Sequence, residues 1–285
     1  MTPADWPHRA HSLFIESAPH RWHIQRMGQG PTALLLHGAG ASTHSFAPLM
    51  SRLADHFDLV AVDLPGQGFT QLGTRGRCGL SAMAEDIAAL CASLDLTPQL
   101  IVGHSAGAAI ALRLSTCLPQ QPREIVGING AFAEFEGLAG LFFPMMAKAL
   151  TLNPFVAGTF SRLAGSKRNV QRLIEGTGST ISAEGLSCYQ HLVSQPAHVE
   201  ATLAMMAQWN LAELRAIVQQ IETQCRFLVG NLDKAVPPRT SEQLAHRLAN
   251  AACEYAQDVG HLLHEEAPDL AANFVRSGQI GQRSK

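Results

Sequence analysis

Charge is scarce in this chain: only 15% of its 285 residues are Asp, Glu, Lys or Arg, against about 25% in an ordinary soluble domain. Lysine stands only at Lys148, Lys167, Lys234 and Lys285, and the excess of arginine over it reads as genome composition rather than function. A net charge of −2 withholds the basic surface on which nucleic-acid binding depends, so no such partner is expected. The six cysteines, Cys78, Cys91, Cys117, Cys188, Cys225 and Cys253, include no C-x-x-C pair. That spacing argues against a zinc site or a disulfide framework and for reduced thiols and a cytoplasmic setting. There is no G-x-x-x-x-G-K-[ST], which excludes an ATP-hydrolysing motor. Neither D-x-S-x-S nor H-E-x-x-H occurs, so no metal and no cofactor is expected. Residues 1–11 lack an apolar h-region, so no signal peptide is expected. The longest apolar run lies within 137–147, is interrupted by Pro144 and falls short of the ~20 residues that a membrane span requires.

Apolar residues, by contrast, make up 46% of the chain, enough for the core of one large α/β domain with an insertion. The shortage of charge leaves neutral surface for an apolar ligand cavity, a protein partner or a membrane-facing patch. Strands are predicted at 12–16, 21–27, 32–36, 57–62, 100–102, 125–128, 226–229 and 253–256. Helices are predicted at 45–55, at 81–94 with Ser81 as its N-cap, after residue 105, at 240–249 and at 265–275. Strands alternating with helices predict a mostly parallel, doubly wound sheet. The rhythm stops at 133 and resumes after 211. The division expected is therefore a core of 1–132 and 212–285, with a helical cap of 133–211 inserted into it.

Gly103-His104-Ser105-Ala106-Gly107 follows the apolar run Leu100-Ile101-Val102 and precedes an Ala-rich helix. G-x-S-x-G between strand and helix is a nucleophile elbow, a turn so tight that small residues must flank the serine. A serine hydroxyl needs a base to take its proton, and the base needs an orienting acid. Asp233 and His261 follow Ser105 in the order Ser, acid, His, each just beyond a predicted strand, and therefore at the sheet edge where ligands bind in open α/β folds. The expected oxyanion donors are the backbone N–H groups of Ala106 and of Ala39 in the loop His37-Gly38-Ala39-Gly40.

These motifs, with Asp63-Leu64-Pro65-Gly66-Gln67-Gly68, Gly230-Asn231-Leu232-Asp233 and Gly260-His261, resemble the α/β-hydrolase family over essentially the whole chain. A narrower likeness rests on Trp6-Pro7-His8-Arg9, His20-Arg21-Trp22-His23, Leu36 to Gly40, the elbow as far as Arg113, Phe143-Pro144-Met145-Met146-Ala147, Met205-Met206-Ala207-Gln208-Trp209 and His261-Leu262-Leu263-His264-Glu265-Glu266. These segments are similar to the magnesium-chelatase accessory hydrolases of bacteriochlorophyll biosynthesis in photosynthetic bacteria. The resemblance implies a soluble serine hydrolase near the magnesium-insertion step, with magnesium chelatase subunits as partners. A serine at 105 argues against dehalogenase or epoxide hydrolase chemistry, since those relatives carry aspartate there.

Other residues divide between a structural and a functional reading. His37 reads as a brace of the oxyanion loop. His44 and His104 read as structural, with substrate contact as the sharper option. His264 reads as a packing histidine one helical turn beyond His261. His20 and His23, three apart on a strand, face opposite ways and do not form a metal pair. Phe142, Phe143, Met145, Met146, Met205, Met206 and Trp209 read first as core packing of the cap. The sharper reading takes Phe143, Met146, Met206 and Trp209, with Gly38, as the lining for a small apolar or tetrapyrrole-like substrate; methionine suits adaptable apolar surfaces. A cap underside touching the membrane is the third use. Three functions remain open: an ester-cleaving enzyme, a non-catalytic tetrapyrrole-binding or delivery protein, and a general carboxylesterase.

Overall fold

The computed structural model describes residues 2–133, 158, 161 and 165–278. An eight-stranded sheet runs β1 (Ser12–Ser17), β2 (His20–Met27), β4 (Asp58–Val62), β3 (Thr32–Leu36), β5 (Leu100–His104), β6 (Glu124–Ile128), β7 (Gln224–Gly230), β8 (Ala251–Ala256) in spatial order. β1 and β2 form an antiparallel hairpin, and β2 joins β4 antiparallel. Every pairing from β4 through β3, β5, β6 and β7 to β8 is parallel.

Period-two alternation sends successive side chains to opposite faces. On β3, Leu34 and Leu36 enter the cluster that also holds Val60, Val62 and Ile101, while Ala33 and Leu35 enter the one with Leu59, Ala61 and Val102. The first cluster packs against α2 (Leu80–Ser93) and α3 (Ala106–Ser115) through Met83, Ile87, Ile110 and Leu114. The second packs against α1 (Ala47–Leu53) and α10 (Pro268–Arg276) through Leu49, Leu53, Ala271 and Val275. The central strands are covered on both sides, which explains their continuous apolar runs.

Between β6 and β7 lie, among the described residues, α4 (Lys167–Gly176), α5 (Ala183–Val193), α6 (Pro196–Gln208) and α7 (Ala212–Ile217). After β7 come α8 (Arg239–Ala245), the short α9 (Leu263–Glu266) and α10. Two expectations are corrected. Ser81 does not cap α2: the helix begins at Leu80 behind Gly79, with no side-chain cap. The Ser81 hydroxyl instead donates to the Glu213 carboxylate and accepts from Arg113 Nε at 3.1 Å. The single helix expected at 265–275 is two, because Pro268 drives the preceding Ala267 out of the helical region, to φ −128° and ψ 61°, as a proline does to the residue before it. No helix among the described residues is long and apolar enough to cross a membrane.

Candidate active site

Ser105 lies between β5 and α3 at φ 52°, ψ −118°, a conformation that costs a non-glycine residue on the order of 1–3 kcal/mol and persists only where the surroundings enforce it. Backbone bonds enforce it here. Ser105 N donates to Ile128 O at 3.0 Å, and Ala131 N donates to Ser105 O at 3.0 Å. A Cβ at Gly107 would come within 2.0 Å of Leu36 O, so only glycine lets the elbow helix approach β3.

Asp233 and His261 are brought together, both buried at the C-terminal ends of β7 and β8. His261 Nδ1 lies 2.8 Å from Asp233 Oδ2. A carboxylate can only accept, so Nδ1 carries the proton and Nε2 presents its lone pair. The backbone N–H groups of Ala235 and Val236 donate to Asp233 Oδ1, each at 2.8 Å. The Ser105 hydroxyl makes no hydrogen bond among the described residues. Ser105 and His261 are therefore not hydrogen-bonded to each other. They are linked through His104, the residue before Ser105, whose ring centroid is 4.8 Å from that of His261 and whose Nε2 donates to His261 O at 2.9 Å.

The loop after β3 faces the elbow. A Cβ at Gly38 would stand 2.9 Å from Ser105 Cβ. His37 Nε2 accepts from Leu64 N at 2.9 Å, so its Nδ1 carries the proton and donates to Gly38 O at 2.7 Å. Burial lowers the His37 pKa and keeps the ring neutral. With Gly38 O also accepting from Ala41 N at 3.2 Å, the planar trans peptide turns the Ala39 N–H the opposite way. Ala106 opens α3, where backbone N–H groups lack a carbonyl of their own helix.

Several histidines serve this scaffold. His198 of α6 accepts from Gly68 N at 3.0 Å through Nδ1 and donates to Gly40 O at 3.1 Å through Nε2; burial brings it down to about 4. His44, likewise lowered to about 3 by burial, bonds Ser42 Oγ at 2.7 Å and meets Tyr189 edge-on at 4.5 Å. His264 packs against His104 with ring centroids 4.3 Å apart, tilted by 41°, and is held neutral, at about 3, by burial. His20 and His23 go to different carboxylates, Asp86 and Asp63. Burial alone would raise the Asp63 carboxyl, but His23, nearby His37 and the Phe69 N–H outweigh it and bring it down to about 2.

The helical block reaches the same loops. Ser179 Oγ accepts from Leu262 N at 2.8 Å, and Thr177 O accepts from Lys234 N at 3.1 Å. Glu266 accepts from Gly260 N at 2.9 Å and from Thr180 N at 3.2 Å. Glu265 accepts from the Tyr189 hydroxyl at 2.7 Å, and burial pushes its carboxyl up to about 8. Met206 is half-buried; Met205 accepts from Gln67 Nε2 at 3.2 Å, and Trp209 packs on the main core. Phe143 and Met146, with Phe142 and Met145, lie outside the described residues. Among those described, no group of three or more His, Cys, Asp or Glu side chains is placed to hold a metal.

Sequence reasoning missed Asn129, whose Nδ2 donates to Asp233 Oδ2 at 2.7 Å, and also His198, Ser179 and Glu266. Asn129 alone carried a signal, its place where β6 ends.

A model of the alpha/beta hydrolase family matches residues 33–274. The chain is 42% identical over 275 residues to the "Magnesium-chelatase 30 kDa subunit" of Rhodobacter capsulatus, covering 96% of each chain. It is 26% identical to a pimeloyl-[acyl-carrier protein] methyl ester esterase of Aeromonas salmonicida, across 89% of this chain and 97% of that protein. Among solved structures, a putative lipase of Acinetobacter baumannii superposes with a TM-score of 0.77 at 22% identity, over 93% of this chain and 89% of that one.

Proposed function

The chain belongs to the alpha/beta hydrolase family, and from that premise we propose that it is a serine hydrolase of an ester-like bond, acting beside the magnesium chelatase. The observation that carries this reading is the buried Asp233–His261 hydrogen bond set beside the strained Ser105 elbow. Ser105 Oγ attacks the carbonyl carbon and gives its proton to His261 Nε2. The imidazolium is held by Asp233 and the oxyanion by the N–H groups of Ala39 and Ala106. Collapse expels the leaving alcohol with the proton from His261. Water then attacks the acyl-serine, again through His261, and releases the acid.

The segment between β6 and β7 is the proposed lid that selects the substrate, a small apolar or tetrapyrrole-like ester. Met206 and Trp209 on that segment are its proposed contacts, together with His44, His104 and Gly38 of the core. Chelatase subunits are the proposed partners, supported by the likeness to the Rhodobacter protein. Six free thiols fit a cytoplasmic setting.

A second reading, tetrapyrrole binding without turnover, is favoured by the lack of a hydrogen bond from the Ser105 hydroxyl among the described residues and by a relative named for the chelatase rather than for ester cleavage. Labelling with a fluorophosphonate probe, read by intact mass, decides between them. A single adduct, absent from Ser105→Ala, is expected. No adduct on folded protein would overturn the hydrolase reading in favour of binding. Fast turnover of short p-nitrophenyl esters would make it a general carboxylesterase, as the esterase relative allows.

A further inference from the structure

Asn129 follows β6 directly and takes a left-handed backbone, φ 48°, a conformation that asparagine and aspartate accept more readily than most side chains. It is wedged between the three loops of the candidate site. Its own N–H donates to Leu228 O at 2.9 Å, extending the β6–β7 ladder by one residue. Its neighbours Ile128 and Ala131 hold the two ends of the Ser105 peptide unit. Its side chain, buried, crosses to the loops that follow β7 and β8: Nδ2 donates to Asp233 Oδ2 at 2.7 Å and to Gly260 O at 3.4 Å. Carboxylate and carbonyl both accept only, so the amide nitrogen must be the atom that faces them.

We infer that Asn129 is a positioning residue: it ties the serine, acid and base loops into one unit and shares Asp233 Oδ2 with the His261 imidazole. The sharing has an electrostatic consequence. Among the described residues, Asp233 receives four donors, two on each oxygen: Ala235 and Val236 N–H on Oδ1, Asn129 and His261 on Oδ2. Each hydrogen bond to a carboxylate disperses its charge. Asn129 thus moderates the pull of Oδ2 on the imidazole proton. Without the Asn129 amide, Oδ2 would hold the imidazolium more tightly.

The catalytic consequence rests on the serine-hydrolase reading; the geometry does not. Two variants separate the side chain from the backbone. Asn129→Gly keeps the left-handed turn without strain and removes the side-chain amide. Asn129→Asp keeps the shape and sets a second carboxyl against Oδ2. The primary measurement is the pH titration of the His261 imidazole proton signals by NMR, assigned by their loss in His261→Gln. The midpoint is expected to move to higher pH, by about one unit in Asn129→Asp and by less in Asn129→Gly. Fluorophosphonate labelling of Ser105 at neutral pH is expected to slow by about tenfold to a hundredfold. Should Asn129→Asp fold poorly, Asn129→Gly carries the test. An unmoved midpoint in a folded variant overturns the inference, even if labelling slows, since that would leave Asn129 a merely structural residue. A moved midpoint in a protein that takes no label removes the serine-hydrolase reading and leaves the positioning role standing.

Discussion

A single buried carboxylate organises much of the approach to this site. Asp63 accepts from the N–H groups of Thr43 and Phe69, at 2.7 and 2.8 Å, and from His23 Nδ1 at 2.7 Å. Asp63→Asn keeps one accepting oxygen but turns its NH2 group toward the donors on the other side, leaving those unpaired. Removing one partner of a buried pair costs about 3–5 kcal/mol, and urea unfolding should show a loss of that order. Asp63 also sets an acid limit. Its carboxyl is held at about 2 rather than its usual 3.8, so the stability it contributes is complete above about 3.8 and is lost as pH falls toward 2. Legibility at this scale followed sequence distance. Ser105, Asp233 and His261 could be proposed because each stands in a local motif at a strand end. Asn129, Ser179 and His198 could not, because their roles depend on partners 104, 83 and 130 residues away.

Elements were easier to read than their ends. The central strands β3, β4, β5, β6 and β7 were legible because each carries apolar side chains that two-sided burial demands, as in Leu34, Leu35 and Leu36. The cap expected at Ser81 failed because the choice of cap depends on where the backbone turns, and it turns at Gly79. The break before α10 was written locally, in Pro268, but the periodic pattern on either side of it masked the interruption. α6 carries a prediction of its own. His198 joins this helix to the loops after β3 and β4 through Gly40 O and Gly68 N. His198→Ala should destabilise the protein by about 1–3 kcal/mol, the cost of leaving buried partners unmade. Fluorophosphonate labelling should slow as the proposed oxyanion loop loosens. A variant with unchanged stability and unchanged labelling would show that α6 rests on the loop without bracing it.

For the molecule as a whole, the balance of protons at Glu265 is the accessible quantity. Its carboxyl stands at about 8 in the fold against its usual 4.5, because burial disfavours the charge. The folded chain therefore binds a proton that the unfolded chain has released. Stability falls as pH rises between about 4.5 and about 8. Glu265→Gln keeps a neutral group beside Tyr189 and should flatten that slope, with a melting temperature a few degrees above the parent at pH 8. Equal slopes in thermal melts of the two proteins would reject this assignment. The family was visible in the sequence over the whole chain. How the helical block meets the core was not, since the joints run through single backbone groups. Those joints limit how such a protein can diversify. Residues 177–180 bond Lys234, Leu262 and Glu266, next to the proposed acid and base. A block borrowed from a relative would arrive without matching joints, so new substrate range and preserved chemistry must be inherited together, as one co-varying module.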